Sequence, residues 1–109
     1  MGILMIDLDG TLTHDHCWTL EECEKAEPRQ EVINKVNEVY LTNFIVIYTA
    51  RRDENIPATL KWLRKNGVMY HAISNIKIPT DVGYVDDKNI TIDQFLKMGK
   101  REVYIPGGY

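Results

Sequence analysis

Two short clusters of acidic residues are the part of this sequence best suited to chemistry. Asp7 and Asp9 directly follow an apolar run, and Asp86 and Asp87 follow another apolar run much further along the chain. If the two clusters meet in space, their negative charges repel strongly unless a cation lies between them. Carboxylates that leave coordination positions open suit Mg²⁺, which commonly binds one or two of them together with a substrate phosphate. The pattern therefore predicts a phosphate site that contains Mg²⁺.

A carboxylate in such a site can act as a nucleophile. With Mg²⁺ neutralising both partners, Asp7 can attack phosphorus and form an aspartyl-phosphate, which water then hydrolyses. Asp9 lies past the start of a turn, where it can protonate the leaving oxygen and afterwards activate water. Gly10 permits a sharp turn, so backbone amides beyond it, such as that of Thr11, can point at phosphate oxygens.

Further polar side chains complete the predicted site. Thr49 supplies a hydroxyl to another phosphate oxygen. A lysine is needed against the phosphoryl charge, and Lys77 is the first candidate with Lys88 as its rival. The planar guanidinium of Arg51 can form a bidentate pair with a second anionic group on the substrate. Together these residues predict a site that grips one phosphoryl group and orients the rest of the substrate.

Hydrophobic patterns predict the elements that must position these residues. The apolar runs at residues 2–6 and 44–48 are typical of strands buried on both faces. Apolar residues spaced three and four apart predict one helix after Pro28 and another that ends at Gly67. Between the first acidic cluster and Pro28, residues 14–27 are predicted to form a long irregular loop. Further elements are predicted as strands at 68–73, 82–85 and 103–105 and as a short helix around 91–98.

The order of these elements predicts the fold class. Strands that alternate with helices favour parallel pairing through right-handed crossovers, which gives a doubly wound, three-layer, Rossmann-like α/β sheet of about five strands. In such sheets, chemistry lies at the carboxyl ends of the strands. The ends of the first, second and fourth predicted strands carry Asp7, Thr49 and Asp86. We therefore expect these polar clusters to converge on one edge of the sheet.

The composition is typical of an ordinary globular protein. The chain has 109 residues, of which 44% are hydrophobic and 27% charged, and this size fits one domain over residues 1–109. Its net charge of −3 predicts no general attraction to nucleic acid or to anionic membranes. No apolar run approaches the roughly 20 residues that span a bilayer, and the first residues lack the basic head of a signal peptide. We therefore expect a cytoplasmic protein, with Cys17 and Cys23 as free thiols.

The acidic motifs resemble those of a known enzyme superfamily. The motif Asp7-Leu8-Asp9-Gly10-Thr11 after an apolar strand, followed by Thr49, a lysine and then Val85-Asp86-Asp87, looks like the haloacid dehalogenase superfamily of phosphotransferases. The resemblance implies that Asp7, the carbonyl of Asp9 and Asp86 hold Mg²⁺, with Asp87 near a metal-bound water. It also implies that Thr49 and Lys77 hold the phosphate.

A looser resemblance narrows the expected function. Glu27-Pro28, the motifs at 48–51 and 84–88, and Lys77-Ile78-Pro79 are similar to small phosphatase-like proteins of capsule and surface-polysaccharide biosynthesis. Members of the superfamily often carry a cap domain after the first or second strand, but residues 13–28 are too few for one. The resemblance therefore implies a capless phosphatase whose open site accepts large phosphates or relies on a homo-oligomer for specificity.

Three functional hypotheses follow. The first is a Mg²⁺-dependent phosphomonoester hydrolase that acts on a sugar phosphate or a related small metabolite. The second is a receiver-like phospho-acceptor, although receivers place the accepting Asp after the third strand, where this chain has Ser74 and Asn75. The third is a non-catalytic binding partner of another enzyme, which the presence of all the acidic residues disfavours.

Overall fold

A parallel four-stranded sheet forms the centre of the protein. The computed structural model describes residues 2–14, 16, 19–51, 53–86 and 90–98. The sheet has the strand order β3-β2-β1-β4 with every pairing parallel. The two long strands carry the apolar runs, since branched and aromatic side chains pack well on a buried pleated surface. The strands are β1 (Gly2–Asp7), β2 (Asn43–Tyr48), β3 (Ala72–Ser74) and β4 (Gly83–Val85).

Among the described residues, four α-helices connect and cover the strands. They are α1 (Leu20–Lys25), α2 (Gln30–Val39), α3 (Ile56–Lys65) and α4 (Ile92–Lys97). Capping boxes start α1 and α4, in which the Thr19 and Thr91 hydroxyls accept hydrogen bonds from amides of the first turn. Helix α3 ends next to Gly67, whose positive φ of 68° suits a glycine. No helix in the described part of the chain is long and apolar enough to cross a membrane.

The hydrophobic core lies on one face of the sheet. Successive residues of a strand point to opposite faces, so Leu4 and Ile6 of β1 point to the face opposite that of Met5 and Asp7. The helices α2, α3 and α4 all pack against the Leu4 and Ile6 face. The core is formed by Leu4, Ile6, Ile45, Ile47 and Val85 of the sheet with Val32, Ile33, Val36, Val39, Trp62, Leu63 and Phe95 of the helices.

In the described part of the chain, the opposite face of the sheet carries a connection rather than a helix. Because β3 and β4 are parallel and lie at opposite edges, residues 75–82 must pass from the carboxyl end of β3 to the amino end of β4. The Tyr84 hydroxyl donates a hydrogen bond to the Ile78 carbonyl, and the Ile3 N–H donates one to Asp81 Oδ1 over 2.5 Å. The 75–82 segment is thereby tied to β4 and β1 on the face that Asp7 shares.

The predicted α/β class is confirmed, but several finer predictions differ from the structure. Four strands are present among the described residues, and the strand predicted at 103–105 lies outside them. The doubly wound arrangement was also predicted, yet the described helices α2, α3 and α4 share one face. Right-handed crossovers from β1 to β2 and from β2 to β3 run in the same direction along the sheet, and this places both connecting helices on the same side.

Two local predictions need correction. The third strand is Ala72–Ser74 rather than 68–73, since the preceding residues return from α3 before the chain pairs with β2. The loop predicted at 14–27 contains α1, which the Thr19 and Glu22 capping box begins. Cys23 is buried and disulfide-bonded rather than a free thiol, and Cys17 lies outside the described residues. The prediction of free thiols was based on the expected cytoplasmic location, which does not show whether two cysteines lie close together in space.

Candidate active site

Polar residues from three strands meet at the carboxyl edge of the sheet. Asp7 pairs with Tyr48, and Ile6 pairs with Val85, so Thr49 and Asp86 follow directly beyond the paired residues. The Thr49 N–H donates to the Ser74 carbonyl over 3.0 Å, which extends the ladder by one residue. Thr49 and Asp86 are both buried. The structure therefore brings Asp7, Thr49 and Asp86 to one edge.

A small cavity lies between Asp7 and Asp86. Its volume is about 120 Å³. The walls combine two carboxylates, an ammonium and two aromatic rings over an apolar floor. The lining residues are Met5, Asp7, Tyr48, Lys77, Tyr84, Val85 and Asp86.

Asp7 is the electrostatic centre of the cavity. The pKa of its carboxyl is raised from 3.8 to about 6, chiefly by burial and also by the negative charges of Asp9 and Asp86. A hydrogen bond from the Leu8 backbone and the nearby charge of His16 act in the opposite direction. The raised pKa reflects burial first and neighbouring negative charge second, and a bound cation would stabilise the ionised carboxylate against both.

A wide turn over Leu8–Leu12 directs the chain away from the end of β1. Gly10 has a φ of 82°, and its N–H donates to Thr13 Oγ1 over 3.2 Å. A Cβ added at Gly10 would lie 3.3 Å from Nε2 of His16. Because the Gly10 amide is used within the turn, it is not aimed at the cavity. The backbone of Thr11 is engaged as well, since its carbonyl accepts a hydrogen bond from Arg29 Nε over 3.2 Å.

Asp9 is held by a buried arginine. Arg51 Nη2 lies 2.7 Å from Asp9 Oδ1, and Arg51 Nε lies 3.2 Å from Asp9 Oδ2, which makes a bidentate pair. Arg51 Nη1 donates to Thr59 Oγ1 over 2.8 Å, and that hydroxyl donates to the Asn55 carbonyl over 2.8 Å. The arginine side chain is only 2% exposed. Arg51 thus links the turn after β1 to the first turns of α3, and its contact with a substrate stays a prediction.

Lys77 reaches the cavity from the 75–82 segment. Its Nζ lies 3.7 Å from Asp86 Oδ2. The same atom lies 5.6 Å from the ring centroid of Tyr48 and 5.8 Å from that of Tyr84. Its side chain is 52% exposed. Of the two candidate lysines, Lys77 therefore borders the cavity, while Lys88 lies outside the described residues.

The predicted metal ligands are brought together in part. Asp7 and Asp86 line the same cavity, whereas the carboxylate of Asp9 is turned to Arg51. No group of three or more His, Cys, Asp or Glu side chains that could hold a metal occurs in the described part of the chain. Asp87, the remaining predicted ligand, lies outside that part. The donors that the structure places here are the carboxylates of Asp7 and Asp86, hard oxygen ligands of the kind that Mg²⁺ takes together with several waters.

Sequence reasoning missed three residues that border or support the site. Tyr48 is the last residue of one predicted strand and Tyr84 lies within another, so both look like ordinary strand residues in the sequence. Thr59 is fully buried on α3. A hydroxyl within the otherwise apolar face of that helix was an available signal, because a buried polar group needs a hydrogen-bond partner.

The comparisons with known proteins show a likeness of fold. No protein-family model matches the chain, and no curated protein is similar enough to count as a match. One solved structure, that of the Pnkp1/Rnl/Hen1 RNA repair complex, matches with a TM-score of 0.58 and 17% sequence identity. The match covers 98% of this chain and 33% of that chain, so this chain spans about a third of the length of its structural neighbour.

Proposed function

We propose that this protein is a Mg²⁺-dependent phosphomonoester hydrolase of the haloacid dehalogenase type, which acts through an aspartyl-phosphate. The observation that supports the proposal most strongly is the cavity where Asp7, Asp86 and Lys77 meet at the carboxyl edge of the sheet. Its volume of about 120 Å³ leaves room for a single phosphoryl group.

The first step is attack by Asp7. One carboxylate oxygen of Asp7 forms a bond to phosphorus while the bond from phosphorus to the leaving oxygen breaks. Lys77 and the hydroxyl of Thr49 stabilise charge on the non-bridging oxygens. Asp9 delivers a proton to the leaving oxygen, so the product leaves as a neutral alcohol.

The second step regenerates the enzyme. Water attacks phosphorus, the bond to the Asp7 oxygen breaks, and Asp9 takes the proton that the water loses. Inorganic phosphate then leaves. Asp9 accepts two hydrogen bonds from Arg51, and this pair must loosen when Asp9 donates or takes a proton.

The metal has a defined place in this proposal. Asp7, Asp86 and the carbonyl of Asp9 would hold Mg²⁺. When bound, the ion neutralises the crowded carboxylates and the phosphoryl oxygens, so that one anion can approach another. Such an ion would lower the raised pKa of Asp7.

Release of inorganic phosphate from a substrate panel tests the proposal. The panel contains sugar phosphates, nucleotides and, because the structural neighbour belongs to an RNA repair complex, RNA with terminal phosphates. We expect Mg²⁺-dependent turnover that Asp7→Asn lowers by more than about 1000-fold. Asp81→Asn is the matched control, because Asp81 lies at the amino end of the sheet and an amide oxygen can still accept the Ile3 N–H.

The panel also separates the alternatives. Full activity in the Asp7→Asn variant would exclude Asp7 as the nucleophile. A phosphorylated aspartate that persists for hours without turnover would favour a receiver-like acceptor. A folded protein that releases no phosphate from any substrate would favour the binding partner.

A further inference from the structure

We propose that Tyr48 and Tyr84 form an aromatic clamp that positions Lys77 for the phosphoryl group. The two tyrosines are positioning residues, since they act on the substrate through the lysine. The inference rests on the proposed function, because Lys77 is taken to be the cation that meets the phosphate. It adds a reason why a lysine on an irregular segment can occupy a defined place.

The clamp is built from both sides of the central strand. Tyr48 pairs with Asp7 and Tyr84 pairs with Met5, so both rings lie on the same face of the sheet as the nucleophile. Strands β2 and β4 flank β1 on opposite sides. Lys77 Nζ lies at nearly equal distances from the two rings, 5.6 Å and 5.8 Å from their centroids. The ammonium is therefore held over β1, beside Asp7 and Asp86.

The ion pair alone does not hold the lysine there. Lys77 Nζ lies 3.7 Å from Asp86 Oδ2, which is longer than a normal hydrogen bond. A lysine side chain has four flexible methylenes and loses considerable rotamer entropy when it is fixed. With 52% of the side chain exposed, solvent competes for the ammonium. Two ring faces favour the inward position, because the negative face of an aromatic ring attracts a cation.

Tyr84 contributes in a second way. Its hydroxyl donates a hydrogen bond to the Ile78 carbonyl, and Ile78 directly follows Lys77 in the chain. The hydroxyl thus fixes the backbone of the 75–82 segment while the ring faces the ammonium. Tyr84 therefore fixes both the backbone next to Lys77 and the position of the Lys77 ammonium.

Substitutions can separate the ring from the hydroxyl. We expect Tyr48→Leu to raise the inhibition constant of inorganic phosphate and KM by about three- to tenfold, with a smaller effect on kcat. Tyr48→Phe keeps the ring, and we expect it to stay within about twofold of wild type. Tyr84→Phe keeps the ring but loses the bond to Ile78, so its effect is expected to fall between those of Tyr84→Leu and wild type.

A double-mutant cycle identifies whether the rings act through the lysine. In a Lys77→Met background the clamp has no cation to position, so adding Tyr48→Leu is expected to change phosphate binding by less than about twofold. If Tyr48→Leu weakens binding equally in both backgrounds, the ring does not act through Lys77 and the proposal is wrong. Loss of turnover in Asp7→Asn together with no effect of either tyrosine substitution would overturn the clamp and leave the proposed function intact.

Nuclear magnetic resonance provides a readout that does not depend on catalysis. In Mg²⁺-free wild-type protein, the ε-methylene protons of Lys77 are expected to resonate upfield of ordinary lysines, because the Nζ bonded to that methylene lies over both tyrosine rings. Tyr48→Leu and Tyr84→Leu should each move that signal downfield, whereas the signal of Lys61 on α3 stays unchanged. A Lys77 signal at the ordinary position in wild type would refute the clamp even if no substrate were ever found.

Discussion

Replacing Asp7 with asparagine should stabilise the metal-free protein, and the effect should depend on pH. The folded protein raises the pKa of Asp7 from 3.8 to about 6. A carboxyl whose folded pKa is raised favours the folded state below its unfolded pKa, and this contribution is lost as pH rises through the folded value. The wild-type protein should therefore lose stability between about pH 4 and pH 7, while Asp7→Asn should not lose this contribution.

The magnitude follows from the same pKa. This difference in pKa between the unfolded and folded protein corresponds to about 3 kcal/mol of unfolding free energy. Partial exposure of the carboxyl to solvent reduces that contribution to about 1–2 kcal/mol. In the presence of a chelator at pH 7.5, the free energy of unfolding of Asp7→Asn should exceed that of wild type by that amount. At pH 3.5, below the unfolded pKa, the two proteins should differ by less than about 0.5 kcal/mol.

Urea unfolding followed by circular dichroism measures these differences. Asp53→Asn serves as a control, since it removes an exposed aspartate and surface substitutions usually change stability by less than about 0.5 kcal/mol. If Asp7→Asn is no more stable than wild type at pH 7.5, or is equally more stable at both pH values, Asp7 does not lie in a crowded acidic environment.

Three further predictions follow from the site. Arg51→Met should cost about 2–3 kcal/mol of stability because it leaves the Asp9 carboxylate unpaired. Thr59→Val should cost about 1–2 kcal/mol because it leaves a guanidinium N–H unpaired. Urea unfolding measures both losses, and wild-type stability in either variant would refute the network of Asp9, Arg51 and Thr59. Gly10→Ala should cost about 1–2 kcal/mol because its φ is 82°, and an unchanged melting temperature would contradict the strain. Mg²⁺ at 100 times its Kd should raise the free energy of unfolding by about 2.7 kcal/mol; calorimetry should show the increase in wild type and little of it in Asp86→Asn, and no increase in wild type would count against the metal site.

Several features could be predicted because they depend on local pattern. The apolar runs predict β1 and β2, and the spacing of Val32, Ile33 and Val36 predicts α2, since a buried strand and an amphipathic helix have different hydrophobic periods. Alternation of strands and helices predicts parallel pairing. The carboxyl ends of parallel strands share one edge of the sheet, so the placement of Asp7 and Asp86 on one edge also follows from the order of elements.

Other features depend on distances between segments that are far apart in the sequence. A planar guanidinium suits any carboxylate, so the sequence could not show that Arg51 contacts Asp9 rather than a substrate. The position of the helices on one face depends on the strand order, which the hydrophobic pattern does not contain.

The sequence by itself determined which polar side chains follow the strands. It also determined that parallel strands bring those side chains to one edge of the sheet. Only the tertiary structure decided which partner each charge has. It turned Asp9 toward Arg51, and it placed Lys77 between Tyr48 and Tyr84. The physical reason is that hydrophobic periodicity is a property of neighbouring residues, whereas electrostatic and aromatic contacts act over a few ångströms in space and depend on how the whole chain packs.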